Sequence, residues 1–197
     1  MLRIATHNSG TGEKGTFWSF FVKIFSKTQS KTLTQQWHSG CRYFDIRLKF
    51  KKGNWRLAHG LWTSKQNALY YLIDLALLAD TDKEFPTYCF VTYEGKLRAN
   101  LEQEFIDYAK FIDKLSLNLL VTSVDAKYSG TKKNPFIVDY RHLVTLNKCP
   151  IPSERAFFPL DGKNWQTYLC PIPWIWDKVY FKYHEFNEER FRFTDFL

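Results

Sequence analysis

The chain has 197 residues, 45% of them hydrophobic and 18% aromatic, with 28 Lys and Arg against 20 Asp and Glu for a formal net charge of +8. Such apolar content excludes intrinsic disorder, and the length is that of one domain, 1–197, with a sizeable core. The positive balance calls for an anionic partner, either a phospholipid surface or a phosphate substrate; without a compact Lys/Arg block, nucleic acid is not expected. Four cysteines, Cys41, Cys89, Cys149 and Cys170, form no CxxC pair and no Cys/His metal spacing. Cys41 and Cys89 fall in expected strands and read as small buried apolar groups. The first strand begins almost at Met1, which leaves no room for a signal peptide, and no apolar run is long enough to span a bilayer. The expectation is a cytoplasmic protein, or one released or packaged by a route that the sequence does not encode.

The first expected strand, around Leu2 and Ile4, stops at Thr6-His7-Asn8-Ser9-Gly10-Thr11-Gly12. A histidine where a strand breaks into a polar turn lies where α/β proteins carry reactive groups. Residues 16–26 approximate a helical stripe of aromatics. They read either as core packing or as an aromatic lip that dips into a lipid interface, helped by Lys14, Lys23, Lys27 and Lys31. A short helix over 34–39 leads through Gly40 into a strand with β-formers Tyr43, Phe44, Ile46 and Leu48. Asp45 and Arg47 are two apart and share one face of that strand. Burying them is costly unless they meet each other or a charged ligand. The run 55–60 is extended and ends in His59, followed by a glycine that permits a sharp turn. Two strand-end imidazoles, His7 and His59, suit a base and an acid acting across one atom, and the fork of Arg47 suits an anion between them. His38, His142 and His184 suggest no role.

Farther on, 63–79 reads as a helix with Thr63 or Ser64 as its N-cap. The run 87–93 is a buried strand closed by Glu94-Gly95, 97–115 a second helix, 119–122 a short strand and 129–135 a polar loop. This β-α-β-α alternation implies a parallel sheet. Beyond Cys149 the chain is punctuated by prolines. A strand over 156–160 ends at Asp161-Gly162, and the tail 179–197 reads as strand then helix.

Taken in order, THNSGT at 6–11, TQ at 28–29, QWHSG at 36–40, RYFDIR at 42–47 and HG at 59–60 resemble the X-domain of phosphatidylinositol-specific phospholipases C. The bacterial, metal-independent branch is the most similar, with its THDSGT-like turn, its Q-x-x-x-G-x-R-x-FDIR strand and its HG. The resemblance covers 2–95 and extends to 148, where 139–146 is similar to the family's next strand; the remainder is unassigned. It implies an α/β, TIM-barrel-like fold. Because a full (β/α)₈ barrel takes about 250 residues, the barrel is expected to be shortened or incomplete.

The resemblance implies a phosphodiesterase in which an inositol 2-hydroxyl attacks the adjacent phosphorus and expels diacylglycerol. His7 would be the base, His59 the acid, Arg47 the phosphate clamp and Asp45 the carboxylate that orients an imidazole or the clamp. Asn8, Arg47 and Glu94 would line the substrate. The bacterial branch has an aspartate at the place of Asn8, and pairing of Glu94 with Arg47 would compensate for its loss. The calcium-dependent branch carries His-Asn there, so Asn8, Asp45 and Glu94 are the alternative calcium ligands. Arg47 stands where that branch has a further acidic ligand, which favours metal independence. Asp161 is the candidate orienter of His7. A non-catalytic binding or structural relative is the other alternative. Expected partners are a phospholipid or inositol-phosphate substrate and a peripheral membrane surface.

Overall fold

Apolar and β-branched side chains in 41–51 and 87–93 build the two central strands. In the computed structural model of the chain, the residues described are 3–6, 9–17, 22, 29–95, 97–125, 143–145 and 191–194. Among them eight strands form one sheet: β1 (Arg3–Thr6), β2 (Cys41–Lys51), β3 (Asn54–His59), β4 (Trp62–Thr63), β5 (Thr87–Tyr93), β6 (Leu119–Asp125), β7 (Leu143–Thr145) and β8 (Phe191–Thr194). Their order is β4-β3-β2-β5-β6-β7, with β1 between β2 and β8. Strands β8, β1, β2, β5 and β6 run parallel, whereas β3 and β7 run against them. The sheet is therefore mixed where βα alternation predicted a parallel one. The difference begins at Lys52-Gly53, a two-residue turn in which both residues have positive φ, and such a turn joins antiparallel neighbours directly. The barrel is not closed among the described residues.

Strand β2 has two differently occupied edges. Its lower edge carries β1 up to the Thr6–Phe44 pair, and the same edge, from Leu48 upward, carries β3. The opposite edge carries β5 from Tyr43 to Leu48. Strands β1 and β3 thus approach the same edge from opposite ends, and both leave it beside residues 45–47.

Three helices cover one face of the sheet: α1 (Leu33–His38), α2 (Ala68–Ala79) and α3 (Glu102–Asp113). Phe44, Ile46 and Leu48 of β2 and Cys89 and Val91 of β5 meet Leu33, Leu72, Leu75, Phe105 and Ile112 in the core. Thr32 starts α1 with a capping box: its hydroxyl accepts from Gln35 N–H, and the Gln35 side chain accepts from Thr32 N–H. The second helix begins later than the expected 63–79. Trp62 and Thr63 pair back onto β3, and Ser64 is buried, accepting from Leu57 N and donating to Gln66 O. The strand edge thus consumes 62–66, and Asn67, accepting from Leu69 N, is the cap. The helix expected over 97–115 is shorter, entered through a 3₁₀ turn at Ala99–Leu101.

Cys41 and Cys89 are free and buried. Burial pushes the Cys41 thiol up to about 12 and the Cys89 thiol up as well, so both act as inert packing groups. His38 ends α1 and is exposed. In the aromatic run 16–26, Phe17 is 76% exposed and Val22 packs against the core; 18–21 and 23–26 lie outside the described residues. So do 129–135, 156–160, Asp161, His142, His184, Cys149 and Cys170, and most of 139–146 and 179–197. Among the described residues no helix is long and apolar enough to cross a membrane.

Candidate active site

Strand alternation sends Phe44, Ile46 and Leu48 under the helices and turns Tyr43, Asp45 and Arg47 to the other face. There Arg47 lies level with Thr92 of β5, and Asp45 with Phe90. Asp45 and Arg47 are 4% and 7% exposed, so their charges are withdrawn from water and must be answered locally. Arg47 Nε donates to Asp45 Oδ2 at 3.3 Å, and Nη1 donates to Glu94 Oε2 at 3.4 Å. Glu94 is the first residue beyond β5, and its N–H donates to Leu48 O at 2.7 Å, which holds it beside β2 where the β2–β5 pairing ends.

The other oxygen of Glu94 reaches the second chain segment. Its Oε1 accepts from Gly60 N–H at 2.9 Å. Gly60 has φ +58°, the left-handed turn that lets the backbone present that N–H. His59, the last residue of β3, is half-buried next to it. A continuous chain therefore runs from Asp45 through Arg47 and Glu94 to the His59-Gly60 turn, at the carboxyl end of the parallel strands β2 and β5. A guanidinium gripped at two corners keeps a fixed orientation, as recognition of a planar or tetrahedral anion requires.

The polar turn after β1 is tied down as firmly. Ser9 Oγ donates to Thr6 O at 2.8 Å, and the Thr6 and Ser9 hydroxyls share a further hydrogen bond at 2.9 Å. Gln36 Nε2 of α1 donates to Ser9 O and Lys31 O. Glu13 Oε1 accepts from Leu33 N at 2.7 Å, and burial raises the Glu13 pKa, with Asp74 adding to the effect. Both residues that flank positions 7 and 8 are thus anchored. His7 and Asn8 themselves lie outside the described residues, as does Asp161.

Of the residues singled out in the sequence, Asp45 and Arg47 of β2 and Glu94 from the end of β5 meet in this network, and His59 at the end of β3 adjoins it through Gly60. Glu94 and Arg47 pair as expected. Its second grip, on Gly60 N–H, was not readable, because a backbone donor leaves no trace in residue identity. Gln36 and Glu13 were also missed, although a buried polar residue beside a strand-ending Ser/Gly turn is a usable signal for an anchor. Asp45 and Glu94, two of the three alternative calcium ligands, are both engaged by the Arg47 cation, so they do not fit a divalent ion there. Among the described residues no group of three or more His, Cys, Asp or Glu could hold a metal ion.

The fold and site define an α/β protein with a buried carboxylate–guanidinium–carboxylate relay ending beside a histidine. No family model matches the chain, and no curated protein does. Among solved structures it is similar to the phosphatidylinositol-specific phospholipase C of Listeria monocytogenes, at 17% identity and a TM-score of 0.47, over 66% of this chain and 52% of that one. It is also similar to the phosphatidylinositol-specific phospholipase C of Staphylococcus aureus, at 21% identity and a TM-score of 0.47, over 68% of this chain and 42% of that one. The chain spans about half the length of these neighbours or less. Likenesses of this size leave the roles of individual residues to the chemistry of this chain.

Proposed function

We propose that this chain is a phosphodiesterase of the phosphatidylinositol-specific phospholipase C type, which cleaves a phosphodiester by internal attack of the neighbouring hydroxyl. The observation that carries the reading is the Asp45–Arg47–Glu94–Gly60 relay, which holds a guanidinium beside the His59 turn at the carboxyl end of β2. In this reaction His7 takes the proton of the attacking hydroxyl as the new P–O bond forms. The bond to diacylglycerol breaks, and His59 gives its proton to the leaving oxygen. Arg47 answers the charge on the nonbridging oxygens. Asp45 and Glu94 fix Arg47, and Glu94 takes over the pairing that an acidic residue at position 8 would supply. Because the guanidinium already occupies the place between the two carboxylates, the reaction proceeds without a metal.

The test is hydrolysis of phosphatidylinositol followed by phosphorus NMR, with and without a calcium chelator. The wild type is expected to release a cyclic inositol phosphate whether or not the chelator is present. His7→Ala and His59→Ala should each lower the rate by about two orders of magnitude or more. Turnover that needs added calcium would move the chain to the calcium-dependent class. No turnover under any condition would leave a binding protein.

A further inference from the structure

Between Asp45 and Asp74 the sequence has no acidic residue, yet it has six basic ones: Arg47, Lys49, Lys51, Lys52, Arg56 and Lys65. The fold gathers them. Lys49 and Lys51 follow Arg47 on the same face of β2, about 7 Å apart per step. Arg56 lies directly across from Lys49 on β3. Lys52 takes the first turn position, and Lys51 and Lys52 are exposed. Arg56 donates to Lys65 O, and Lys65 N donates to Lys14 O, so Lys14 and Lys65 continue the positive field along the side of the hairpin. None of Lys14, Lys49, Lys51, Lys52 and Lys65 has a carboxylate partner among the described residues.

Two features of this hairpin work against its own stability. Like charges stand directly opposite at the Lys49–Arg56 pair. Lys52 has φ 52°, a left-handed conformation in which glycine or asparagine is favoured over a long side chain. Local stability alone would select against both, whereas an external anion relieves the first and gives the second a purpose.

The hairpin also projects past the sheet. Strand β5 ends at Tyr93, level with Leu48, whereas β2 continues to Lys51. Its tip thus rises from the end that carries Arg47, Glu94 and His59. Leu61, next to Gly60, is 77% exposed beside that mouth. The two aromatic residues of the hairpin are not available for stacking on bases: Phe50 and Trp55 pack on each other with ring centroids 5.0 Å apart, and Trp55 is buried in the core. Single-stranded nucleic acid needs such platforms, whereas a bilayer needs basic side chains and an exposed apolar residue.

We propose that the β2–β3 hairpin is a docking surface for an anionic phospholipid bilayer. The choice of a lipid occupant rests on the phosphodiesterase reading above, and docking at this tip turns the mouth of the site toward the membrane. The experiment is cosedimentation of the full chain with vesicles of phosphatidylcholine alone and of phosphatidylcholine with phosphatidylglycerol in about a 2:1 ratio. Neither vesicle contains phosphatidylinositol, so binding is read without turnover. The wild type should sediment with the anionic vesicles and be released by salt. Lys51→Gln/Lys52→Gln should weaken that binding by about 25-fold, about fivefold for each lysine, while His59→Ala binds as the wild type does. Equal partition onto both vesicles, or unchanged partition of the double variant, overturns the proposal. So does an equal loss of duplex DNA binding together with vesicle binding that is unaffected. Vesicle binding without any hydrolysis of phosphatidylinositol would sink the catalytic reading and leave the docking surface standing.

Discussion

The two faces of β2 are buried alike and built on opposite principles. Phe44, Ile46 and Leu48 are fully buried under α1, α2 and α3, each adding about 1.5–3 kcal/mol by leaving water. On the reverse, Asp45 and Arg47 are as withdrawn from solvent, yet charge burial offers little net stability and is tolerated only through the pairings with each other and with Glu94. At the start of the same strand a second arginine shows the structural version of such a pair. Arg42 stacks on Trp37 and binds Asp82, lowering the Asp82 pKa, and it lies partly in solvent at the opposite end from the site. One face of β2 therefore holds the fold, while the other spends stability to fix a guanidinium.

The largest expected effect breaks the charged face alone. Arg47→Met strips both carboxylates of their guanidinium, and urea unfolding should report a loss of about 3–5 kcal/mol together with complete loss of hydrolysis. On the apolar face, Ile46→Ala should cost about 2–5 kcal/mol. Its folded molecules should turn over at the wild-type rate when kcat is corrected for the folded fraction. A collapse of that corrected rate would mean that the two faces do not work separately.

A sharper probe replaces the whole relay. Asp45→Leu/Arg47→Met/Glu94→Gln keeps an acceptor for Gly60 N–H but removes the charges of the relay. This triple variant should unfold at the same urea concentration as the wild type or a higher one, with a gain of up to about 1–4 kcal/mol, and be inactive. A triple variant as unstable as Arg47→Met would show that the relay itself holds the sheet.

The smallest effect concerns Glu13, which anchors the turn after β1. Burial raises its pKa above the usual 4.5, so the folded state holds the proton more tightly than the unfolded chain. Its favourable contribution is complete below pH 4.5 and fades as pH rises through the raised value. Glu13→Gln preserves the bond to Leu33 N and removes that slope. Its Tm should exceed that of the wild type slightly at pH 7 and converge with it below pH 4.5. Parallel Tm curves across that range would contradict the assignment.

Much of this was legible along the chain. Strand alternation put Asp45 and Arg47 on one face, the His59-Gly60 pair marked a strand end, and Glu94 closed β5 as its position after 87–93 suggested. The start of α2 differs from the expectation because Thr63 and Ser64 are good caps in isolation, yet Thr63 pairs with Ala58 of β3 and the hydroxyl and N–H of Ser64 are engaged by Leu57. The mixed sheet was missed for a related reason. Lys52-Gly53 lacks the usual asparagine–glycine signature of a tight hairpin turn, and a basic residue in a left-handed turn is not what local propensity favours.

The sequence by itself determined which segments could be strands, which face of β2 would be charged, and that the chain carries a net positive charge, because these follow from period-two alternation and from residue charge. Only the tertiary structure decided that β1 and β3 share one edge of β2 and leave it at the same place, and that Glu94 reaches across from β5 to Gly60. Those are contacts between backbone and side chains far apart in the chain. Their geometry is set by strand register and turn handedness, which no single residue encodes.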